Sequence, residues 1–160
     1  TVGDSGRRRP ALYDHILIPT DGSDLAQHGV DQGLSLAKAL GSKVSIVTAT
    51  QPIAVPPVGM VESWAGSSWD VAGYDDHQKK LADSVLSQAQ ESAARLGIAA
   101  AVVYVPDALP ALAIISTAEE RGCDLIVMAS HGRRGVKRLL LGSQTAEVLA
   151  HSHVPVLVVR

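Results

Sequence analysis

The run Met128-Ala129-Ser130-His131-Gly132-Arg133-Arg134-Gly135-Val136-Lys137-Arg138-Leu139-Leu140-Leu141-Gly142-Ser143 gathers glycine, basic side chains and hydroxyls into one stretch of chain. Glycine lets a backbone approach a phosphate closely and take φ > 0 where a turn demands it. Gly142-Ser143 precedes an apolar-periodic segment, so it sets N–H groups and a hydroxyl at a helix N-terminus, where an anion is stabilised. Arg133, Arg134, Lys137 and Arg138 add local positive charge to a chain whose formal net charge is −2. The chemistry these residues suit is phosphate binding. No GK[ST] follows the glycines, which excludes a Walker loop, and no GxGxxG follows the first apolar strand, which excludes a dinucleotide fingerprint. The first strand also lacks the SGGxDS run of ATP-pyrophosphatases.

A dedicated reaction has less to stand on. His131 could titrate near neutrality beside a phosphate, yet no carboxylate or nucleophile is paired with it in sequence, and a loop-stabilising role suits it better. Ser23, Ser130 and Ser143 lack a GxSxG elbow and a readable base. His151 and His153 form an H-x-H pair without the further ligands that a metal site needs. Cys123 is the single cysteine, so no intrachain disulfide can form, which agrees with a reducing compartment. Placed between Gly122 and Asp124, it reads as a small, semi-buried hydrophobe. Asp21 has two roles open: a turn residue holding Gly22 and Ser23, or a ligand contact. The basic cluster is either a solvated loop face or a set from which one member reaches a terminal phosphate. Trp64 and Trp69 either cover a site or pack onto the domain's own surface.

These residues need elements to position them. His15-Ile16-Leu17-Ile18-Pro19 reads as a buried strand, closed by the turn Thr20-Asp21-Gly22-Ser23. Asp24 or Ser23 caps a helix with Ala26, Val30, Leu34, Ala37 and Leu40 at helical spacing, stopped by Gly41. Lys43 to Thr50 is a second strand. Gln51 to Gly73 carries three prolines and both tryptophans without a period and reads as a long loop, a length that is often functional. Asp75 begins a helix with Leu81, Val85, Leu86, Ala89 and Ala93 on one face and Gly97 at its end. Ala100 to Val105 is a third strand, Pro110 to Arg121 a third helix and Asp124 to Ala129 a fourth strand. After the basic loop Ser130 to Leu141, a helix runs to about Ser152 and Pro155 to Val159 is a fifth strand. Strands that are nearly all apolar and alternate with helices predict an α/β domain with an open parallel sheet covered on both faces. Such sheets bind ligands beyond the carboxyl ends of their strands, where strand order reverses. Thr20-Asp21-Gly22 and Ser130-His131-Gly132 fall at such ends.

The basic segment resembles the nucleotide motif of the universal stress protein family: Gly-x-x-Gly, nine residues, then Gly-Ser or Gly-Thr. Gly132, the nine residues after it and Gly142-Ser143 fit, with Ala129 in place of the first glycine. The opening ILIPTDGS, the strand DLIVMASHG, the run RLLLGS and the ending PVLVV extend the resemblance over nearly all of 13–160. It implies a five-stranded parallel sheet in the order 3-2-1-4-5, of the adenine nucleotide alpha hydrolase-like type. It also implies an ATP-binding protein that acts as a sensor or regulator in stress adaptation. On that resemblance Pro19, Thr20 and Asp21 border the nucleoside and Ala49 contributes backbone at the adenine. Met128 and Ala129 line base and ribose, and Gly132, Gly142 and Ser143 hold the phosphates. His131, Arg133, Gln144 and Thr145 complete the ATP-binding set. Mg²⁺ or Mn²⁺ would ride on the phosphates, since hard cations favour oxygen. A homodimer through the last strand is implied as well, and the apolar ending Val154 to Val159 is compatible with it.

Bulk properties narrow the alternatives. The chain has 160 residues, enough for one domain with a real core, and contains no Phe, so Val, Ile, Leu and Ala must build that core. A pI near 6.3 leaves no global basic field for nucleic acid. The apolar runs fall short of the ~20 residues that span a bilayer. TVGDSGRRRP has no apolar stretch behind its arginines and reads as a flexible tail over 1–11 ahead of a domain over 12–160, not as a secretory leader. A cytoplasmic location is expected. Two other readings stay open: a nucleotide-free homodimeric interaction module of the same fold, and a slow ATPase.

Overall fold

The structure is a computed structural model that describes residues 12–52, 71–130 and 141–160, without the side chains of 71 and 72. The expected tail 1–11, residues 53–70 of the expected loop, and His131, Gly132 and Arg133 lie outside the described residues. The elements run β1 (His15–Pro19), α1 (Asp24–Leu40), β2 (Lys43–Ala49), α2 (Val71–Arg95), β3 (Ala101–Val105), α3 (Pro110–Glu120), β4 (Leu125–Ala129), α4 (Ser143–His151) and β5 (Val156–Val159). The strands form one sheet in the order β3-β2-β1-β4-β5, and every neighbouring pair is parallel. This is the expected topology, and it puts the reversal of strand order between β1 and β4.

The pleat sends alternate residues of each central strand to opposite faces. Ile16, Ile18, Val44, Ile46, Leu125 and Val127 meet Val30, Leu34 and Ala37 of α1 and Leu86, Ala89 and Ala93 of α2. Leu17, Val47, Ile126 and Met128 meet Ala111, Ile114 and Ala118 of α3 and Val148 of α4. Both faces of the sheet are therefore covered, which is why its strands read as unbroken apolar runs.

Local signals explain most boundaries. Ser23 takes the N-cap of α1, its Oγ accepting from the Ala26 N–H at 3.2 Å. Gly41 closes the same helix at φ 73°, a left-handed position that glycine holds without Cβ strain. Two expectations need correction. Helix α2 begins at Val71, ahead of Asp75, and runs through Gly73. Each further residue in a formed helix adds a hydrogen bond, so a long helix tolerates a poor former such as glycine. Leu81 is 41% exposed, and the buried face of α2 runs through Ala82, Leu86, Ala89 and Ala93 instead. The larger side chain marked the wrong face by one residue.

The amino edge of the sheet carries a polar clamp that sequence patterns did not reveal. The Asp124 carboxylate accepts from the Asp14 N–H at 2.8 Å and the His15 N–H at 2.9 Å, while the Asp124 N–H donates to the His15 carbonyl at 2.9 Å. His15 Nε2 lies 2.9 Å from Ser45 Oγ. A His–Ser contact of this length is one requirement of an activated nucleophile. Ser45 is 0% exposed, however, and the pair stands at the end of the sheet opposite to ligand-binding edges. It is a core polar contact.

Candidate functional site

The carboxyl edge splits at the point where strand order reverses. The β1–β4 ladder consists of Ile16↔Leu125 and Leu17↔Ile126, after which Ile18–Pro19 and Val127–Ala129 run on without pairing to each other. On either side the ladders continue. β1 stays with β2 to Pro19↔Val47, and the Thr20 N–H extends that pairing to the Val47 carbonyl at 2.9 Å. β4 stays with β5 to Ala129↔Val159, and the Ser130 N–H extends it to the Val159 carbonyl at 2.8 Å. The sheet's own twist opens such a wedge where neighbouring crossovers leave in opposite directions.

Thr20-Asp21-Gly22-Ser23 turns the chain at the lip of this wedge. Thr20 is buried and its Oγ1 accepts from the Gly22 N–H at 3.2 Å; Gly22 has φ 74°, so the tight turn needs a residue without a Cβ. Asp21 Oδ1 accepts from the Ser23 N–H at 3.0 Å and from Ser23 Oγ at 2.7 Å. The turn-forming role read for Asp21 is thus present, and it orients the carboxylate through the residue that caps α1. Ala49 ends β2, half-buried, level with Val105 of β3. Met128 is buried against the α3–α4 side.

Ala129 is buried at 8% exposure, and its methyl faces α1: it lies 3.4 Å from where a Cβ on Gly29 would stand. The alanine that departs from the family motif therefore directs its extra carbon into the helix packing. Gly29, on the buried face of α1, was missed in the sequence, although a glycine inside an otherwise apolar helical stripe is a signal of close packing.

The two ends of the basic loop are tied together. The Gly142 N–H donates to the Ser130 carbonyl at 2.8 Å, and the buried Thr145 Oγ1 donates to the Ala129 carbonyl at 3.0 Å. Gln144 Oε1 accepts from the Ala111 N–H at 3.0 Å, which caps the first turn of α3. The side chains of Gln144 and Thr145 are thus engaged within the protein. What these positions offer a ligand is backbone. Gly142 is the N-cap of α4 and gives it no side-chain cap, and the first N–H groups of a helix have no intrahelical acceptor. Ser143 is exposed beside them. Among the described residues no group of three or more His, Cys, Asp or Glu could hold a metal ion, and no helix is long and apolar enough to cross a membrane.

Cys123 is buried, more fully than the semi-buried position read from the sequence, and burial pushes its thiol up from 9.0 to about 11, with Arg121 pulling it back and Asp124 adding to the rise. A raised acid pKa means that the folded state favours the neutral thiol. The stability this lends is complete below the unfolded value and is lost as pH rises through the folded one. Alkylation of the native protein with iodoacetamide at about pH 8 should be slow and should accelerate on unfolding in urea, because the thiolate is the reactive form. Rapid labelling of the folded protein would contradict this assignment.

Comparison with known proteins agrees with the topology. Residues 12–160 match the family model described as the universal stress protein family. A universal stress protein of Methanocaldococcus jannaschii is 32% identical over 149 residues, covering 93% of this chain and 83% of the relative. A solved structure from the same organism, of a protein whose biochemical function was assigned from its structure, superposes with a TM-score of 0.73 at 25% identity, over 92% of this chain and 96% of that one. A universal stress protein in complex with cAMP superposes with a TM-score of 0.63 at 26% identity, over 92% and 97% of the two chains. With the sheet order and the family model in agreement, the chain belongs to the universal stress protein family.

Proposed function

We propose that this chain binds an adenine nucleotide, ATP, in the wedge between β1 and β4, and serves as a cytoplasmic sensor or regulator in stress adaptation. The observation that carries this reading is the early end of the β1–β4 ladder between two ladders that continue. Pro19, Thr20 and Asp21 on one lip and Met128 and Ala129 on the other border the nucleoside, with Ala49 backbone beside the adenine. Gly142, Ser143, Gln144 and Thr145 offer the α4 N-terminus to the phosphates, where an anion meets N–H groups and the positive end of the helix. His131, Gly132 and Arg133 join them on the motif alone. A metal ion, Mg²⁺ or Mn²⁺, is carried on phosphate oxygens, since hard cations favour oxygen ligands. The cAMP complex of a relative supports an adenine nucleotide as ligand class.

The residues present fit such a group. Gly142 has no side chain over the helix start, and the Ala129 methyl is turned to α1, which removes the main reason for reading the chain as a nucleotide-free module. The chemistry proposed is recognition, with hydrolysis at most a slow side activity. We take 12–160 as the functional domain and the edge of β5 as the homodimer contact. Among the described residues that strand pairs with β4 alone, and Leu157 on it is 44% exposed. Titration calorimetry with ATP, AMP and cAMP, each with and without Mg²⁺, tests the ligand. MgATP is expected to bind most tightly; heat-silent titrations with all three would leave the interaction module as the better reading.

A further inference from the structure

Helix α1 lies across the diverging ends of β1 and β4 on two glycines of its buried face, Gly29 and Gly33. Glycine is among the poorest helix formers, so two of them one turn apart in a helix interior call for a packing reason. They differ in what they touch. A Cβ at Gly33 would meet Ile18 Cδ1 at 2.7 Å and Cγ1 at 3.0 Å, and Val127 Cγ1 at 3.4 Å. These are side-chain atoms, and the end of Ile18 can turn away. A Cβ at Gly29 would meet the Ala129 backbone nitrogen at 3.0 Å, its Cβ at 3.4 Å and its Cα at 3.5 Å. Backbone in a paired strand has no rotamer to change, so the end of β4 itself would have to move.

That end is the hub of the proposed site. The Ala129 carbonyl holds Thr145 Oγ1, and the next carbonyl, of Ser130, holds the Gly142 N–H. A shift of Ala129 away from α1 passes through two short hydrogen bonds to the start of α4. We propose that Gly29 is a positioning residue for the nucleotide edge: its bare face houses the backbone and methyl of Ala129, and thereby sets where the Ala129 and Ser130 carbonyls hold the α4 N-terminus. The alanine in the motif and the glycine in α1 form a matched pair. This inference rests on the nucleotide-binding reading, and its test separates the two.

Four variants are compared with the wild type: Gly29→Ala, Gly33→Ala, Ala129→Gly and the double Gly29→Ala/Ala129→Gly. For each, the thermal midpoint is measured without nucleotide, the MgATP Kd by calorimetry, and the Ser130 and Gly142 amide signals by NMR. Gly29→Ala should weaken MgATP binding by about tenfold or more, the affinity counterpart of overpacking strain. Gly33→Ala, strained against side chains deeper in the same helix, should stay within about threefold of wild type even where its thermal midpoint falls as far. Ala129→Gly, which alters a residue bordering the nucleoside, is measured as the reference for the double variant, and the double variant should regain at least about threefold over Gly29→Ala. Unchanged affinity in Gly29→Ala, an equal loss in Gly33→Ala, or a double variant no better than the single would each overturn the proposal. If Gly29→Ala alone does not fold, a folded, nucleotide-binding double variant supports the pairing and an unfolded one overturns it. If the wild type binds no nucleotide, the functional reading falls by itself. The amide signals then decide: displacement in Gly29→Ala that reverses in the double variant supports positioning by Gly29, and undisturbed signals overturn it.

Discussion

Replacing Gly142 with valine is expected to abolish nucleotide binding while leaving the protein folded. Gly142 sits at φ −59° and ψ 148°, a conformation open to any residue, so valine meets no backbone strain there. Its two local hydrogen bonds, N–H to the Ser130 carbonyl at 2.8 Å and carbonyl from the Ala146 N–H at 2.9 Å, are made by the main chain and survive the substitution. What valine adds is a branched side chain at the residue from which α4 starts, in the space that phosphates need to reach the Ser143, Gln144 and Thr145 amides. Loss of that close approach should weaken MgATP binding by about a hundredfold or more, the scale seen when reacting or binding groups are displaced by about 1 Å. Calorimetry checks the affinity and circular dichroism the fold. A folded variant with wild-type affinity would place the phosphates elsewhere. Gly132→Val carries the same expectation from the motif.

The largest stability effect should come from the middle of the central strand. Leu17 is 0% exposed and packs among Val47, Ala111, Ile114, Ala118, Ile126, Met128 and Val148. Leu17→Ala removes buried carbon and leaves a cavity between sheet and helices that neighbouring backbone cannot close, so it should cost about 2–5 kcal/mol. That is a large share of the roughly 5–15 kcal/mol by which domains are stable. Leu81→Ala, on the exposed rim of α2, should cost less than about 1 kcal/mol. Urea unfolding with an unchanged slope reads both. Similar costs at the two positions would contradict the division between core and rim.

The contrast between Leu17 and Leu81 shows how far the sequence could be read. Uniformly apolar strands such as Ile16-Leu17-Ile18 and Leu125 to Ala129 can be buried only in a two-sided sheet, so strand count and layering were legible. The order of strands came from family resemblance, because alternation of elements alone leaves it open. A helix face is less sharply marked: Leu81 and Ala82 are neighbours, and only contact with the sheet decides that the smaller one is buried. The candidate site was legible only in outline. The motif pointed to Gly142-Ser143, and the turn after the first strand to Asp21, but nothing pointed to Thr145 Oγ1 holding Ala129, Gln144 capping α3 or Asp124 clamping β1. Those hydrogen bonds join residues far apart in the chain, and no local pattern encodes them. The Ala129 methyl carries the same lesson. Read in the motif it is a departure, and only the approach of Gly29 from another element shows where it goes.

The most direct test of nucleotide binding is the content of the purified protein. The full chain is purified without added nucleotide and denatured, and the supernatant is analysed by chromatography and mass spectrometry. ATP, or ATP with its breakdown product, at a level approaching one per chain is the expected result, and it would name the ligand. A protein that is empty, and that also gives no heat with MgATP, would contradict the nucleotide site and favour a module whose partners meet the same fold without a ligand.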